Sequence, residues 1–186
     1  MIIGMSIIRD TKYCRGEIME FKKATVNDVS YIMDIIYKAR EDFKNKGIDQ
    51  WQNNYPNEDI ILNDIEKGYG FILTDNDVIV GYVAISFDGE ETYDKIYDGK
   101  WLTNGKFAVV HRIAISEAFK GKKLSYFIME NVEQYCKDNG IFSIKVDTHI
   151  KNIPMQKILN RLNYKYCGKI YIRDGSERIA FEKILN

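Results

Sequence analysis

The chain is poor in residues that build extended, cross-linked or membrane-spanning structures. It has two prolines in 186 residues, which excludes collagen-like and proline-rich architectures. Its three cysteines, Cys14, Cys136 and Cys167, are odd in number and widely spaced. They form neither a disulfide framework nor a metal-binding pattern, so a cytoplasmic, reduced protein without a metal is the expectation. There is no excess of one charge: 27 basic residues balance 27 acidic ones. A nucleic-acid partner, which usually demands a basic surplus, is therefore not expected. No apolar run approaches the roughly 20 residues needed to cross a bilayer, and no membrane partner is expected. The opening stretch MIIGMSIIRDTKYC lacks a basic start, a long apolar segment and a small-residue cleavage site, and is not read as a signal peptide. Repeats and low-complexity linkers are missing too. What is present is 45% apolar residues in a length that suits one domain with a sizeable core.

The segments alternate in type. Residues 1–18 read as an N-terminal extension, and Met19 can serve as a second start, with the domain spanning 19–186. MEFKKAT reads as a strand. Thr25 and Asp28 resemble a capping box ahead of a helix that carries Val29, Ile32, Met33 and Ile36 on one stripe and ends at Gly47. Asn57 caps a shorter helix to Lys67. GYGFILTDNDVIVGYVAISF is a hairpin turning at Asp75-Asn76-Asp77. A long polar connection rich in aromatics follows. FAVVHRIAIS is apolar on both faces and so predicted to be a central strand. Lys120 to Asn139 is predicted as a helix with Leu124, Phe127, Ile128, Val132 and Tyr135 on one stripe, stopped by Asn139-Gly140. IFSIKVDTH is the next strand, NIPMQKILNRLN a helix capped by Asn152, and the C-terminus a hairpin around Asp174-Gly175. The order βααβββαβαββ predicts an α/β fold with a mixed, partly parallel central sheet flanked by helices.

One stretch, HRIAISEAFKGKKLSYFIMENV (His111 to Val132), places a strand, a cationic glycine turn and a helix N-terminus in succession. Free N–H groups and the positive end of the helix dipole make such a terminus an anion site, and glycine lets a ligand approach the backbone. The same residues also fit an ordinary solvated, lysine-rich helix start. The nucleotide P-loop is excluded because its paired glycines and final Ser/Thr are missing.

This stretch, followed by DTHIKNIPMQKILNRLNY, resembles the acetyl-CoA-binding core of the Gcn5-related N-acetyltransferase (GNAT) superfamily, and the element order agrees from about Glu20 to the C-terminus. The resemblance implies the GNAT-like acyl-CoA N-acyltransferase fold and acetyl-CoA as co-substrate. In the family a basic, glycine-containing loop cradles the CoA pyrophosphate. Lys120 takes the place of the basic residue, Gly121 is the extra glycine after it, Lys123 stands where the first motif glycine is expected, and Ser125 ends the motif. The implied cofactor-binding set is Ile113, Ala114 and Ile115 along the strand, then Lys120, Gly121, Lys122, Lys123, Leu124, Ser125 and Tyr126, with Asn152. Asn152 serves equally well as a plain helix cap. The sequence departs from the family at Lys123 and at Leu159, where members often carry a Tyr general acid.

Acyl transfer from a thioester needs oxyanion stabilisation, positioning and a base for the amine. The two histidines are candidates. The resemblance favours His111 as the catalytic base, on a strand face shared with Val109, Ile113 and Ile115 by the period-two rule. An imidazole near its ordinary pKa suits that role. His149, with Asp147, is placed on the substrate side or in a local polar cluster. Trp51, Tyr55, Tyr93, Tyr97 and Trp101 lie in the two loops expected to flank an acceptor channel, accompanied by Glu90, Glu91 and Asp94, and aromatics with carboxylates suit a cationic amine. The alternative is that these aromatics close the core beneath the loops. The expectation is an N-acetyltransferase acting on a primary amine of a small molecule or peptide in a ternary complex. A non-catalytic CoA-binding module on the same fold is the rival. The oligomeric state stays open, a homodimer included.

Overall fold

The computed structural model describes residues 19–186. The expected N-terminal extension, with Cys14, lies outside the described residues. Seven strands form one sheet in the order β1-β2-β3-β4-β5-β7-β6. They are β1 (Met19–Lys23), β2 (Gly70–Asp75), β3 (Val78–Ser86), β4 (Ala108–Ile115), β5 (Ser143–Thr148), β6 (Lys165–Tyr171) and β7 (Glu177–Ile184). Four helices accompany them: α1 (Val29–Asn45), α2 (Glu58–Glu66), α3 (Leu124–Asp138) and α4 (Ile153–Arg161). All neighbours are antiparallel except β4 and β5. The expected element order and the mixed sheet are both present.

Local chemistry accounts for most boundaries. Asp28 reaches back to the Thr25 N–H at 2.7 Å, opening a 3₁₀ turn that runs into α1. Asn57 accepts from the Ile60 N–H at 3.1 Å and caps α2. Asn76 and Asp77 both take positive φ, as a two-residue hairpin turn requires. One boundary differs from expectation. The third helix starts at Leu124, not Lys120. A 3₁₀ turn at Glu117–Phe119 and a left-handed Lys123 (φ 61°) stand before it, because the chain leaving β4 must turn back over the sheet before the helix can begin.

Two apolar layers sandwich the sheet. On one face α3 and α4 bury Phe127, Ile128, Met129, Val132, Met155 and Leu159 against Leu73, Val83, Ile85, Val110 and Ile144. On the other, α1 and α2 bury Ile32, Ile36 and Ile61 against Ile72, Tyr82, Ala84 and Ala114. β4 is covered on both faces, as its apolar sequence predicts. A smaller cluster forms where the long 87–107 connection folds over β6. Tyr93 packs there with Val109, Ile170 and Ala180, and Trp101 and Phe107 close its edge. The connection lies so close to β6 that a Cβ on Gly99 would stand 1.9 Å from the Cys167 carbonyl oxygen.

Candidate active site

β4 and β5 are paired only at their first residues, Ala108 with Ile144 and Val109 with Lys145. Beyond that point β4 has no strand partner on the β5 side, and a cleft of about 830 Å³ opens between the strands. Its walls are the end of α1 with the following loop, the open half of β4, the turn into α3, the start of α4 and the inner side of β7.

One end of the cleft is built to receive an anion. Gly121 takes φ +83°, and its missing Cβ would have nothing within 4 Å, so its backbone is open to a ligand. Among the described residues, the N–H groups of Gly121, Lys123, Leu124 and Ser125 have no protein acceptor, whereas Lys122 N–H bonds the Phe119 carbonyl at 3.4 Å. Lys120 lies across the cleft, 3.3 Å from Asp42, and helps Lys46 hold the Asp42 carboxyl below its ordinary value. Lys120, Gly121 and Ser125 line the cleft with Ile113, Ala114 and Ile115. Lys122, Lys123, Leu124 and Tyr126 do not: Lys122 turns its ammonium over the Phe119 ring, and Tyr126 stacks beneath Arg161. Asn152 lines the cleft, but both ends of its amide are engaged. Oδ1 accepts from Met155 N–H at 3.2 Å and Nδ2 donates to Gln50 at 3.0 Å, so it caps α4 and ties it to the loop after α1.

The middle of β4 departs from regular strand geometry. Tyr82 pairs with Ala114 and Ala84 with His111, so Val83 alone faces both Arg112 and Ile113. This is a β-bulge, and Arg112 sits in it with φ 55°. The extra residue reverses the alternation. Ile113 and Ile115 pack on the α3 side with Val110, while Ala114 joins the α1 side. His111 therefore does not share a face with Ile113 and Ile115, and the period-two placement holds only as far as Val109.

The bulge is held by a buried network that the sequence reading missed. Arg112 Nε and Nη2 donate to the two oxygens of Asp64 at 2.7 and 2.6 Å. Tyr82 donates its hydroxyl to Asp64 at 2.9 Å, and Arg112 Nη1 donates to the Tyr55 hydroxyl at 2.8 Å. Asp64 is 1% exposed. An aspartate on the buried stripe of α2 and an arginine inside an apolar strand were the available signals, because buried charges are found paired.

At the other end, His111 Nε2 stands 3.6 Å from Glu90 Oε2. Burial first, and the Arg112 guanidinium second, push the imidazole down to about 3. It is neutral across physiological pH, and its pKa lies below the near-neutral value expected of a base at this position. Glu90 lines the cleft and is fixed by Thr92, whose N–H and hydroxyl donate to Oε1 at 3.2 and 2.9 Å. Its neighbour Glu91 points outward to Arg173, 3.5 Å away, and is exposed. Of the adjacent carboxylates Glu90 and Glu91, it is Glu90 that enters the cleft. Asp147 also faces the cleft. Burial raises its pKa, while a 2.6 Å hydrogen bond from Tyr93 opposes that rise.

The aromatic candidates divide. Trp51 and Tyr55 line the cleft. Tyr93, 2% exposed, and Trp101, which donates from Nε1 to the Tyr93 carbonyl at 2.8 Å, belong to the core beneath the long connection. His149 follows β5 and accepts the Lys151 N–H at 3.1 Å within a turn. Cys136 and Cys167 lie outside the cleft, with thiols pushed up by burial to about 12 and about 11. No group of three or more His, Cys, Asp or Glu residues among the described residues is arranged to hold a metal.

The model of the acetyltransferase (GNAT) family matches residues 33–164. The chain belongs to that family, and it is an acetyltransferase. A crystal structure of a GNAT-family acetyltransferase from Streptococcus agalactiae superimposes with a TM-score of 0.83 at 37% identity, covering 90% of this chain and 96% of that one. YesJ of Bacillus subtilis (strain 168), an uncharacterized N-acetyltransferase, is 23% identical over 164 residues, 86% of this chain and 87% of its own. YncA from Salmonella typhimurium, solved with its cofactor acetyl-CoA, shares the fold at a TM-score of 0.65 and 14% identity, covering 90% and 94% of the two chains.

Proposed function

We propose that the cleft transfers an acetyl group from acetyl-CoA to a primary amine of a small molecule or peptide by direct attack in a ternary complex. One observation carries this reading. A single continuous cleft joins Gly121 and Ser125, whose N–H groups are free at the turn into α3, to the Glu90, His111 and Asp147 side chains, along a strand edge left open by the parting of β4 and β5.

These residues fit the co-substrate. The free N–H groups and the dipole of α3 suit its pyrophosphate, and Lys120 adds a cation at the same place. The open edge of β4 offers unpaired peptide groups to the amide-bearing pantetheine arm. The bound co-substrate supplies the acetyl thioester. In the transfer, the amine nitrogen forms a bond to the acetyl carbon, the carbon–sulfur bond breaks, and the thiolate leaves to be protonated. A β4 N–H beside Ile113 to Ile115 can stabilise the charge on the carbonyl oxygen. The proton lost by the amine goes to Glu90, directly or through a water. This carboxylate lines the cleft, is held by Thr92, and abuts an imidazole that burial keeps neutral. Asp147 adds negative charge that favours a cationic acceptor. The absence of both described cysteines from the cleft favours direct attack over an acyl-cysteine relay.

Initial rates of thiol release, measured against acetyl-CoA and a panel of primary amines, test this. Intersecting double-reciprocal lines are expected. Parallel lines, or thiol release that no amine stimulates, would overturn the ternary-complex reading. Glu90→Gln should lower kcat by about 10²–10⁴-fold with acetyl-CoA affinity retained. A loss below threefold removes Glu90 from the mechanism.

A further inference from the structure

Among the described residues, several buried cations have a carboxylate or an aromatic ring directly against them, whereas Arg178, inside the cleft, has neither within contact distance. Arg112 is clamped by Asp64, Lys183 pairs with Glu133 at 2.6 Å, and Lys145 is covered by the rings of Trp101 and Phe107 at 4.4 and 3.9 Å. Arg178 is 6% exposed and lines the cleft. It donates only to two backbone carbonyls, from Nη1 to Glu177 at 3.0 Å and from Nη2 to Asp49 at 3.2 Å. No ion pair among the described residues includes it. A guanidinium carries five N–H donors, so three are left without a protein acceptor among the described residues. A buried cation in this condition is costly unless something anionic completes it.

The sheet register shows what lies beside it. Asp147 of β5 is opposite Ala180 of β7. Arg178 precedes Ala180 by two residues and shares its face, which makes it the diagonal neighbour of Asp147, about 7–8 Å away along the backbone. The Asp147 oxygen Oδ1 is occupied by the Tyr93 hydroxyl. The acceptor end of the cleft therefore presents a guanidinium with free donors, whose charge is felt by Asp147 and Asp174 without an ion pair to either, in a cleft that Glu90 also lines. At the rim, Arg173 adds a second cation that meets only Glu91, at 3.5 Å and fully in solvent contact.

Resting on the acetyl-transfer reading above, we infer that the acceptor is an amine that also bears a carboxylate, and that Arg178 holds that carboxylate while Glu90 and Asp147 face the amine. A planar guanidinium with free donors binds a carboxylate through two parallel hydrogen bonds, which fixes the acceptor's orientation as well as adding affinity. The hydrogen bond from Arg178 to the Asp49 carbonyl couples that recognition to the loop carrying Gln50 and Trp51, so the same side chain orders the wall of the channel.

The test uses the full chain and matched acceptor pairs: amino acids with a free carboxylate and the corresponding carboxamides, with thiol release as readout. The wild-type protein should prefer the acid over its amide by about 10- to 100-fold in kcat/KM, expressed mainly in KM. In Arg178→Met the ratio should fall to near one, and Arg178→Lys, which keeps the charge, should retain part of it. If Arg178 merely pins the Asp49 loop, both substrates lose rate together and the ratio persists, which overturns the inference. Wild-type protein that uses carboxamides as well as acids also overturns it, while leaving acetyl transfer standing. No turnover of either class, while other primary amines of the panel are acetylated, overturns the inference and leaves acetyl transfer standing.

Discussion

Replacing Asp64 by alanine removes the counter-ion of Arg112 and the acceptor of Tyr82 in one step. Asp64 is 1% and Tyr82 0% exposed, and the Arg112 side chain is 11% exposed, so water cannot readily substitute for the lost carboxylate. The three bonds removed measure 2.6, 2.7 and 2.9 Å. Breaking a buried ion pair by deleting one partner costs about 3–5 kcal/mol, because the other charge is left uncompensated. For a chain of this size about 1 kcal/mol shifts Tm by roughly 2–4 °C, so Asp64→Ala should melt roughly 6–20 °C below wild type. Removing both charges should be far milder. Asp64→Leu combined with Arg112→Met replaces the pair with apolar groups of similar size, and such exchanges are often neutral or even stabilising. The double variant should recover the part of the loss that comes from the uncompensated guanidinium, while the Tyr82 hydroxyl, still without its acceptor, keeps about 1–3 kcal/mol of it. Urea unfolding of the single and double variants, analysed as a cycle, isolates the coupling. A single variant within about 1 kcal/mol of wild type, or a double variant as unstable as the single one, would refute the reasoning that the pair is held by mutual compensation rather than by packing.

Two further outcomes follow from the site. Gly121→Val forces a branched side chain into a left-handed conformation (φ +83°) at the anion turn; with strain of about 1–2 kcal/mol, CoA should bind about 5- to 30-fold more weakly by calorimetry, while unchanged affinity would move the pyrophosphate site elsewhere. The imidazole of His111 has a folded pKa of about 3, below its ordinary 6.5, so its contribution to stability is fully present above pH 6.5 and is lost as pH falls towards 3. It adds about 1.4 kcal/mol per pH unit to the slope in that window, and His111→Gln should flatten urea-unfolding stability between pH 6.5 and 5; an unchanged slope would mean that the imidazole is not desolvated.

Much of this protein is written in local sequence. The apolar runs of β2 and β3, the Asn76-Asp77 turn between them, the caps at Asp28, Asn57 and Asn152, and the stripe of α3 each depend on a few adjacent residues. Backbone geometry and burial at that range follow from residue type alone, which is why the element order and the mixed sheet were legible. The anion turn was legible for the same reason: glycine and a helix start are local features. The direction of each functional side chain was not. The bulge at Arg112 exists only because β4 is paired with β3, and it moves Ile113 and Ile115 off the face that strict alternation shares between them and His111. Which of the adjacent Glu90 and Glu91 enters the cleft is decided by the long connection, anchored by Tyr93, whose hydroxyl reaches Asp147, 54 residues later in the chain. The same anchoring takes Tyr93 and Trp101 out of the acceptor channel and into the core. Arg178 and Asp64 are unremarkable as residues in a sequence. Burial leaves one a guanidinium with free donors and makes the other a carboxylate fully engaged by Arg112 and Tyr82, since the energy of a charge depends on what surrounds it and that is decided by contacts between distant segments.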